Sequence, residues 1–209
     1  MRKRRSFLRR RRAPFPRHRV SRGRRTRRLH RRRRPGSILH MKKTILKATI
    51  IVGAAAQNLA YSFKFSDLSE AVTYAGLFDM YRINKIFMRC VPRVNNYLAQ
   101  GVAIMAPQII DLVDYTDSTA LSATADYLNF GNHRIHAGFT EFKRKFTPAS
   151  QFCVGDATHF APKFKQWLQT LDRDIAHHSY KIQIAPLSAT QNTIYELWST
   201  YYFSVKQPK

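Results

Sequence analysis

Acidic residues are missing from the first stretch of this sequence: residues 2 to 34 hold no aspartate and no glutamate. Cysteine is nearly missing from the whole chain. Cys90 and Cys153, each inside an apolar run, are the only two, so a disulfide framework or a paired-cysteine metal site is not expected, and the usage fits a reducing compartment. Long hydrophobic runs are missing too. The longest strongly apolar stretch, Ala48 to Ala56, is interrupted by Thr49 and Gly53, and it is far shorter than the roughly 20 residues a membrane-crossing helix requires. No membrane insertion is expected. No apolar segment stands behind the N-terminal positive charges, which argues against a secretory signal, and the prolines and four-arginine blocks there argue against a mitochondrial transit peptide. There is no GxSxG, no phosphate-binding glycine loop and no HExxH, so neither an enzyme nor a cofactor is expected.

What fills the opening stretch is arginine. Arg2, Lys3, Arg4, Arg5, Arg9, Arg10, Arg11, Arg12, Arg17, Arg19, Arg22, Arg24, Arg25, Arg27, Arg28, Arg31, Arg32, Arg33 and Arg34 supply +19 of the formal net charge of +25. The rest of the chain holds the other 18 basic residues against all 12 acidic ones, which leaves it at +6. A segment this charged and this poor in apolar side chains cannot bury enough surface to fold alone, and Pro14, Pro16, Gly23 and Pro35-Gly36-Ser37 break any continuous helix across it. A disordered arm over residues 1–40 is therefore expected. Arginine outnumbers lysine eighteen to one there, and a guanidinium fork suits bidentate phosphate contact where an ammonium is only a point charge. The nineteen basic residues are the candidate nucleic-acid-binding residues, reading backbone and not base edges, with binding that weakens steeply as salt rises. The same run reads as a nuclear localisation signal, which makes the nuclear import machinery a second candidate partner.

After residue 40 the composition changes, and residues 41–209 read as one domain with a real core. Thr44 to Val52 is β-branched and apolar and predicts a strand that Gly53 stops. Leu59, Tyr61, Phe63 and Phe65 alternate with small or polar residues, so four large side chains share one face. Ser66-Asp67 offers a helix cap with Glu70 placed as in a capping box, ahead of a short helix over Ala71 to Phe78. Tyr81 to Val91 predicts a long strand ended by Pro92, with Ile86, Met88 and Cys90 on one face and Lys85 and Arg89 on the other. Further strands are predicted at Gln108 to Tyr115, loosely through His133 to Phe146, at Trp167-Leu168, at His178 to Ile184 and at Thr193 to Lys206. Thr119 to Tyr127 is left unassigned. Seven or eight strands with hardly any long amphipathic helix indicate an all-β antiparallel sandwich or barrel; an eight-stranded jelly roll fits the count, as does an immunoglobulin-like sandwich.

Inside the body several groupings invite a chemical reading. His133-x-x-His136 with His159 or Cys153 has metal-ligand residue types, but positions three apart on a strand point to opposite faces. Asp111, Asp114 and Asp117 look like a carboxylate cluster, and turn-forming aspartate after a strand explains them as well. His177-His178 and Ser179 beside Asp172 and Asp174 are too local for a catalytic triad. Most aromatics stand at core spacing, with Tyr81, Tyr97 and Tyr127 held open as base-stacking partners. Lys85 and Arg89 either touch a nucleic acid or solvate an exposed sheet face, and the sequence does not choose.

The order of the pieces adds to this. Phe63-Lys64-Phe65-Ser66-Asp67-Leu68, then Leu77-Phe78-Asp79-Met80-Tyr81-Arg82-Ile83-Asn84-Lys85, resembles the capsid proteins of circoviruses, cycloviruses and related circular single-stranded DNA viruses. Val113-Asp114-Tyr115, Phe142-Lys143-Arg144-Lys145-Phe146-Thr147-Pro148, Gln166-Trp167-Leu168 and Tyr201-Tyr202-Phe203-Ser204-Val205 agree in order and spacing. Residues 41–56 and 92–106 lie outside the resemblance, so no receptor-binding or antigenic residue is carried over and the cell-surface receptor is unknown. The resemblance implies a jelly roll preceded by the arm, self-assembly into a small T=1-type icosahedral shell, circular single-stranded DNA packaged inside, and residence in the virion and, during assembly, in the host nucleus. About sixty arms of nineteen charges would supply roughly 1,140 positive charges, which at about 0.7 per single-strand phosphate match on the order of 1,100 to 1,600 nucleotides, or about 2,000 with the body's charge included. A small RNA virus capsid protein and a ribosomal-type basic protein are the alternatives, because an arginine arm does not distinguish DNA from RNA.

Overall fold

The computed structural model describes residues 38–93, 106–153, 160–187 and 192–208. Residues 1–37 of the expected arm, and with them every one of the nineteen candidate residues, lie outside the described residues, as do Tyr97 and His159. The body is built from β1 (Leu39–Val52), β2 (Gln57–Phe63), α1 (Ala71–Leu77), β3 (Phe78–Arg93), β4 (Gln108–Val113), α2 (Thr124–Asn129), β5 (Arg134–Ala137), β6 (Phe142–Phe146), β7 (Ala149–Cys153), β8 (Phe160–Phe164), β9 (Leu168–Gln169), β10 (His177–Ile184) and β11 (Thr193–Pro208), with 3-10 turns at Phe65–Asp67 and Thr170–Asp172. The first strand thus begins at Leu39, inside the stretch assigned to the arm.

All pairings are antiparallel. One sheet runs β1-β11-β3-β6, with β9 added on β3; the other runs β5-β4-β10 with β2 on the far edge of β10, and β7-β8 extends it. The chain crosses repeatedly between the two sheets, and its last two strands return to lie between earlier ones, β10 between β2 and β4 and β11 between β1 and β3. This is an eight-stranded jelly roll, β1 to β6 with β10 and β11, into which a β7-β8 hairpin and β9 are inserted. The alternating apolar residues of both sheets meet in one core: Phe63, Phe65, Tyr81, Ile83, Ile86, Met88, Tyr180, Ile182, Tyr195, Leu197, Tyr201 and Phe203 are all nearly fully buried. Phe65 stacks on Tyr81 at 4.2 Å and meets Phe203 edge-on at 5.4 Å, a geometry worth roughly 0.5–1.5 kcal/mol per pair beyond burial.

Two irregularities keep the long strands in phase with that core. In β1 the pairing with β11 skips Lys47, so Met41 and Ile45 before it and Ile50 and Val52 after it all face inward. In β3 it skips Asn84, which lets Tyr81 and Ile83 face inward although they are out of phase with Ile86, Met88 and Cys90. Pro92 does not end this strand; it pairs with Tyr195 and β3 continues to Arg93. The stretch from His133 to Phe146 is two strands in different sheets, because residues 138–141 turn between them. The expected cap is also different. Asp67 does not cap α1, whose N-cap is Glu70 without a side-chain bond; its carboxylate accepts the Lys64 backbone N–H at 3.0 Å and closes the preceding 3-10 turn.

Candidate functional site

The two sheets treat their outward faces differently, and this positions the polar residues. On β10, Tyr180, Ile182 and Ile184 face the core, and Lys181 and Gln183 face away from it, yet Lys181 is 0% exposed. Residues 114–132 lie over that outward face. Ile110, Leu112 and Tyr127 form a second small core there, with Leu121 and Phe130 against it. A lysine in this position needs partners, since a lone buried ammonium is very costly. It has two: Lys181 Nζ donates to Asp114 Oδ2 at 2.7 Å and to Asp117 Oδ1 at 2.6 Å. Burial opposes the charge on Lys181, but the two carboxylate hydrogen bonds outweigh it and raise its pKa. Burial likewise works against the Asp114 charge, and the bonds from Lys181 and Thr116 overcome it and lower its pKa. Asp114 and Asp117 do also close turns, accepting the N–H of Thr116 at 2.8 Å and of Thr119 at 2.9 Å.

Asp111 does not join them. It sits on the core face of β4, opposite Ile182, and is 0% exposed. Arg144 reaches it from β6 in the other sheet at 3.1 Å, and His136 Nε2 lies 3.0 Å from the same oxygen. Arg144 Nη2 also donates to Asn132 O at 2.6 Å, and the His136 ring stacks on Phe142 at 3.9 Å. The three aspartates are therefore two structural ion clusters on opposite faces of one sheet, and the turn explanation fails for Asp111. His133 is occupied elsewhere: its Nδ1 meets Phe130 O at 2.7 Å, and no metal-holding group of three His, Cys, Asp or Glu forms among the described residues. His177, 3% exposed, donates from Nδ1 to the carbonyls of Phe63 and Ile175, both at 3.2 Å. That bond ties β10 to β2.

Tyr81 and Tyr127, held open above for stacking, are core residues. Both are 0% exposed, and their hydroxyls donate to Asp172 O at 3.0 Å and Ile182 O at 3.4 Å. Lys85 and Arg89 are exposed on the outward face of the β1-β11-β3-β6 sheet. Arg89 meets Glu141 at 2.6 Å. The aromatic side chains on that face, Phe87, Trp198 and Tyr202, were not singled out by sequence reasoning. Their signal was the second parity of β3 and β11, which reads as merely mixed until the pairing of the strands is known.

The described body is similar to several solved viral coat structures. A BFDV capsid protein, crystallised as a 60-mer, shares 17% identity at a TM-score of 0.66, over 82% of this chain and 95% of its own. The Macrobrachium rosenbergii nodavirus particle protein shares 12% at 0.55, over 85% and 97%. Cocksfoot mottle virus shares 10% at 0.53, over 83% and 97%. No curated protein matches the sequence. These similarities concern the fold; the circovirus capsid protein family matches residues 1–209, the whole chain, and the chain belongs to that family.

Proposed function

We propose that this capsid protein assembles with itself into a closed icosahedral shell of about sixty copies and packages circular single-stranded DNA through its arginine arm. The family match carries the reading, because it spans arm and body together. The likeness in fold to a BFDV capsid protein seen as a 60-mer supports the copy number. The body then supplies the protein-protein contacts, and the nineteen basic residues from Arg2 to Arg34 displace counterions from the phosphate backbone without reading sequence. Family membership removes the ribosomal-type alternative and places the protein in the virion as a structural component.

Electron microscopy of the purified, nuclease-treated protein, with the sugar of any protected nucleic acid identified, tests this. Uniform small spheres holding deoxyribose support the reading. A monodisperse monomer under assembly-favouring salt sinks it, and spheres from infected cells holding only ribose replace DNA with RNA as the cargo. The arm is also proposed to direct nuclear import. A variant lacking residues 1–40 should then stay in the cytoplasm, and nuclear accumulation of that variant would remove the signal from the arm.

A further inference from the structure

The outward face of the β1-β11-β3-β6 sheet carries a charge arrangement that the fold does not use. Lys42 of β1 stands opposite Tyr202 of β11, and Tyr202 opposite Lys85 of β3. One row on, Phe87 of β3 stands opposite Lys145 of β6. Four adjacent strands thus converge on one aromatic ring: Lys42 Nζ lies 5.6 Å and Lys145 Nζ 6.0 Å from the centre of Tyr202. Lys42, Lys85 and Lys145 are exposed, and none of the three takes part in an ion pair among the described residues. Farther along, Trp198 stands opposite Arg89, whose charge is shared with Lys143 through Glu141.

Like charges placed close together on a sheet oppose folding, so three uncompensated ammonium groups around one ring call for an anion. A protein partner fits poorly, because the centres of protein interfaces are depleted in lysine. Interleaved lysines and half-exposed aromatic rings are what a single-stranded polynucleotide uses: phosphates along the cations, and unpaired bases on the rings. The other sheet of the sandwich cannot serve, since residues 114–132 cover its outward face.

We infer that Lys42, Lys85 and Lys145, with Tyr202 and Phe87, form a second, folded binding surface for single-stranded nucleic acid, and that this sheet faces the inside of the shell. The inference rests on the packaging reading above, and it adds a site in the body to the arm. The test uses the full-length protein and oligo(dT), with the binding constant followed against salt for the wild type and for K42Q/K85Q/K145Q. Three phosphate contacts at about 0.7 each predict a log-log slope shallower by about 2, with the unfolding temperature not lowered, because the substitutions break no ion pair among the described residues and relieve like-charge repulsion. Photocrosslinking to bromodeoxyuridine-substituted oligomer should mark the peptide containing Tyr202. A wild type that binds with a variant of equal slope overturns the surface and leaves the packaging reading standing. A variant that binds equally but no longer assembles makes the face a protein contact, which also overturns it. A wild type that does not bind oligo(dT) at all overturns the packaging reading and this one together.

Discussion

At the scale of single residues, the side chain with most to lose is Lys181. Its two carboxylate partners hold the covering segment on β10, and Asp114 is itself only 4% exposed. K181M strands a buried Asp114 carboxylate, and breaking a buried pair from one side costs about 3–5 kcal/mol. Urea unfolding of the unassembled protein should show a loss of that size, and K181M/D114N/D117N should recover part of it, because removing all partners leaves no buried charge unpaired. A second expectation concerns pH. Burial is the main cause that holds the His177 pKa below the ordinary histidine value, and burial lowers His178 in the same direction. Below about pH 6.5 the unfolded chain takes up a proton at these histidines that the native state refuses. Stability therefore falls as pH drops from there toward the lowered native pKa, and levels off below it. Asp67 is the other case: burial opposes its charge, but Lys47, Tyr201 and the Lys64 N–H hold its pKa down, so its contribution is present above about pH 4 and lost as pH falls through the lowered value. H177N should flatten the stability curve just below about pH 6.5 and leave the more acidic loss in place. An unchanged slope just below about pH 6.5 would take His177 out of the account.

At the scale of elements, the residue that pairing skips in β3 decides which face each half of the strand shows. Deleting Asn84 would remove the extra residue and leave Ile83 opposite Phe203 and Tyr81 opposite Val205, so Tyr81 and Ile83 stay in the core, now in regular alternation with Ile86, Met88 and Cys90. The deletion should therefore leave the protein folded by circular dichroism, and a loss of the folded spectrum would show that the bulge is needed for more than keeping the strand in phase. N84A keeps the extra residue and loses only the bond from Asn84 Nδ2 to Ser204 Oγ at 2.7 Å, about 1 kcal/mol. These irregularities also mark where the sequence stops being readable. Strands with clean alternation, β2, β10, β11 and the Ile86–Cys90 half of β3, were legible because a period of two is a direct signature of one buried face. Tyr81 and Ile83 looked out of phase because a skipped residue leaves no local mark. The β7-β8 hairpin was missed because Ala149 and Ser150, its buried residues, are adjacent and small, while Gln151, Phe152, Lys163 and Phe164 are exposed, so no alternation marks a buried face. Nothing near Lys181 in the sequence marks it as buried, because its partners stand 67 and 64 residues away. For the same reason the patch around Tyr202 could not be assembled from sequence, since its five members come from four strands.

At the scale of the whole molecule, the question is which charges set how much nucleic acid a shell holds. The arm carries nineteen positive charges and the rest of the chain a net six. If the arms neutralise the packaged strand, about sixty copies match on the order of 1,100 to 1,600 nucleotides, and counting the body extends this to about 2,000. A genome of one to two kilobases follows, and a packaged length several times greater would mean that the arm does not set it. Truncation separates the two contributions. Removing residues 2–12 deletes eight of the nineteen arm charges. If the arm alone sets the length, the packaged strand should shrink to roughly 60% of its original size, and if all net charge counts, to roughly 70%. Assembly of the truncated protein in the presence of excess single-stranded DNA of mixed lengths, followed by nuclease treatment and sizing of the protected strand, measures this directly. A protected length that stays constant would show that shell volume, not charge, is limiting. A length that falls on truncation, and falls again with K42Q/K85Q/K145Q, would place both the arm and the open sheet face on the packaged strand.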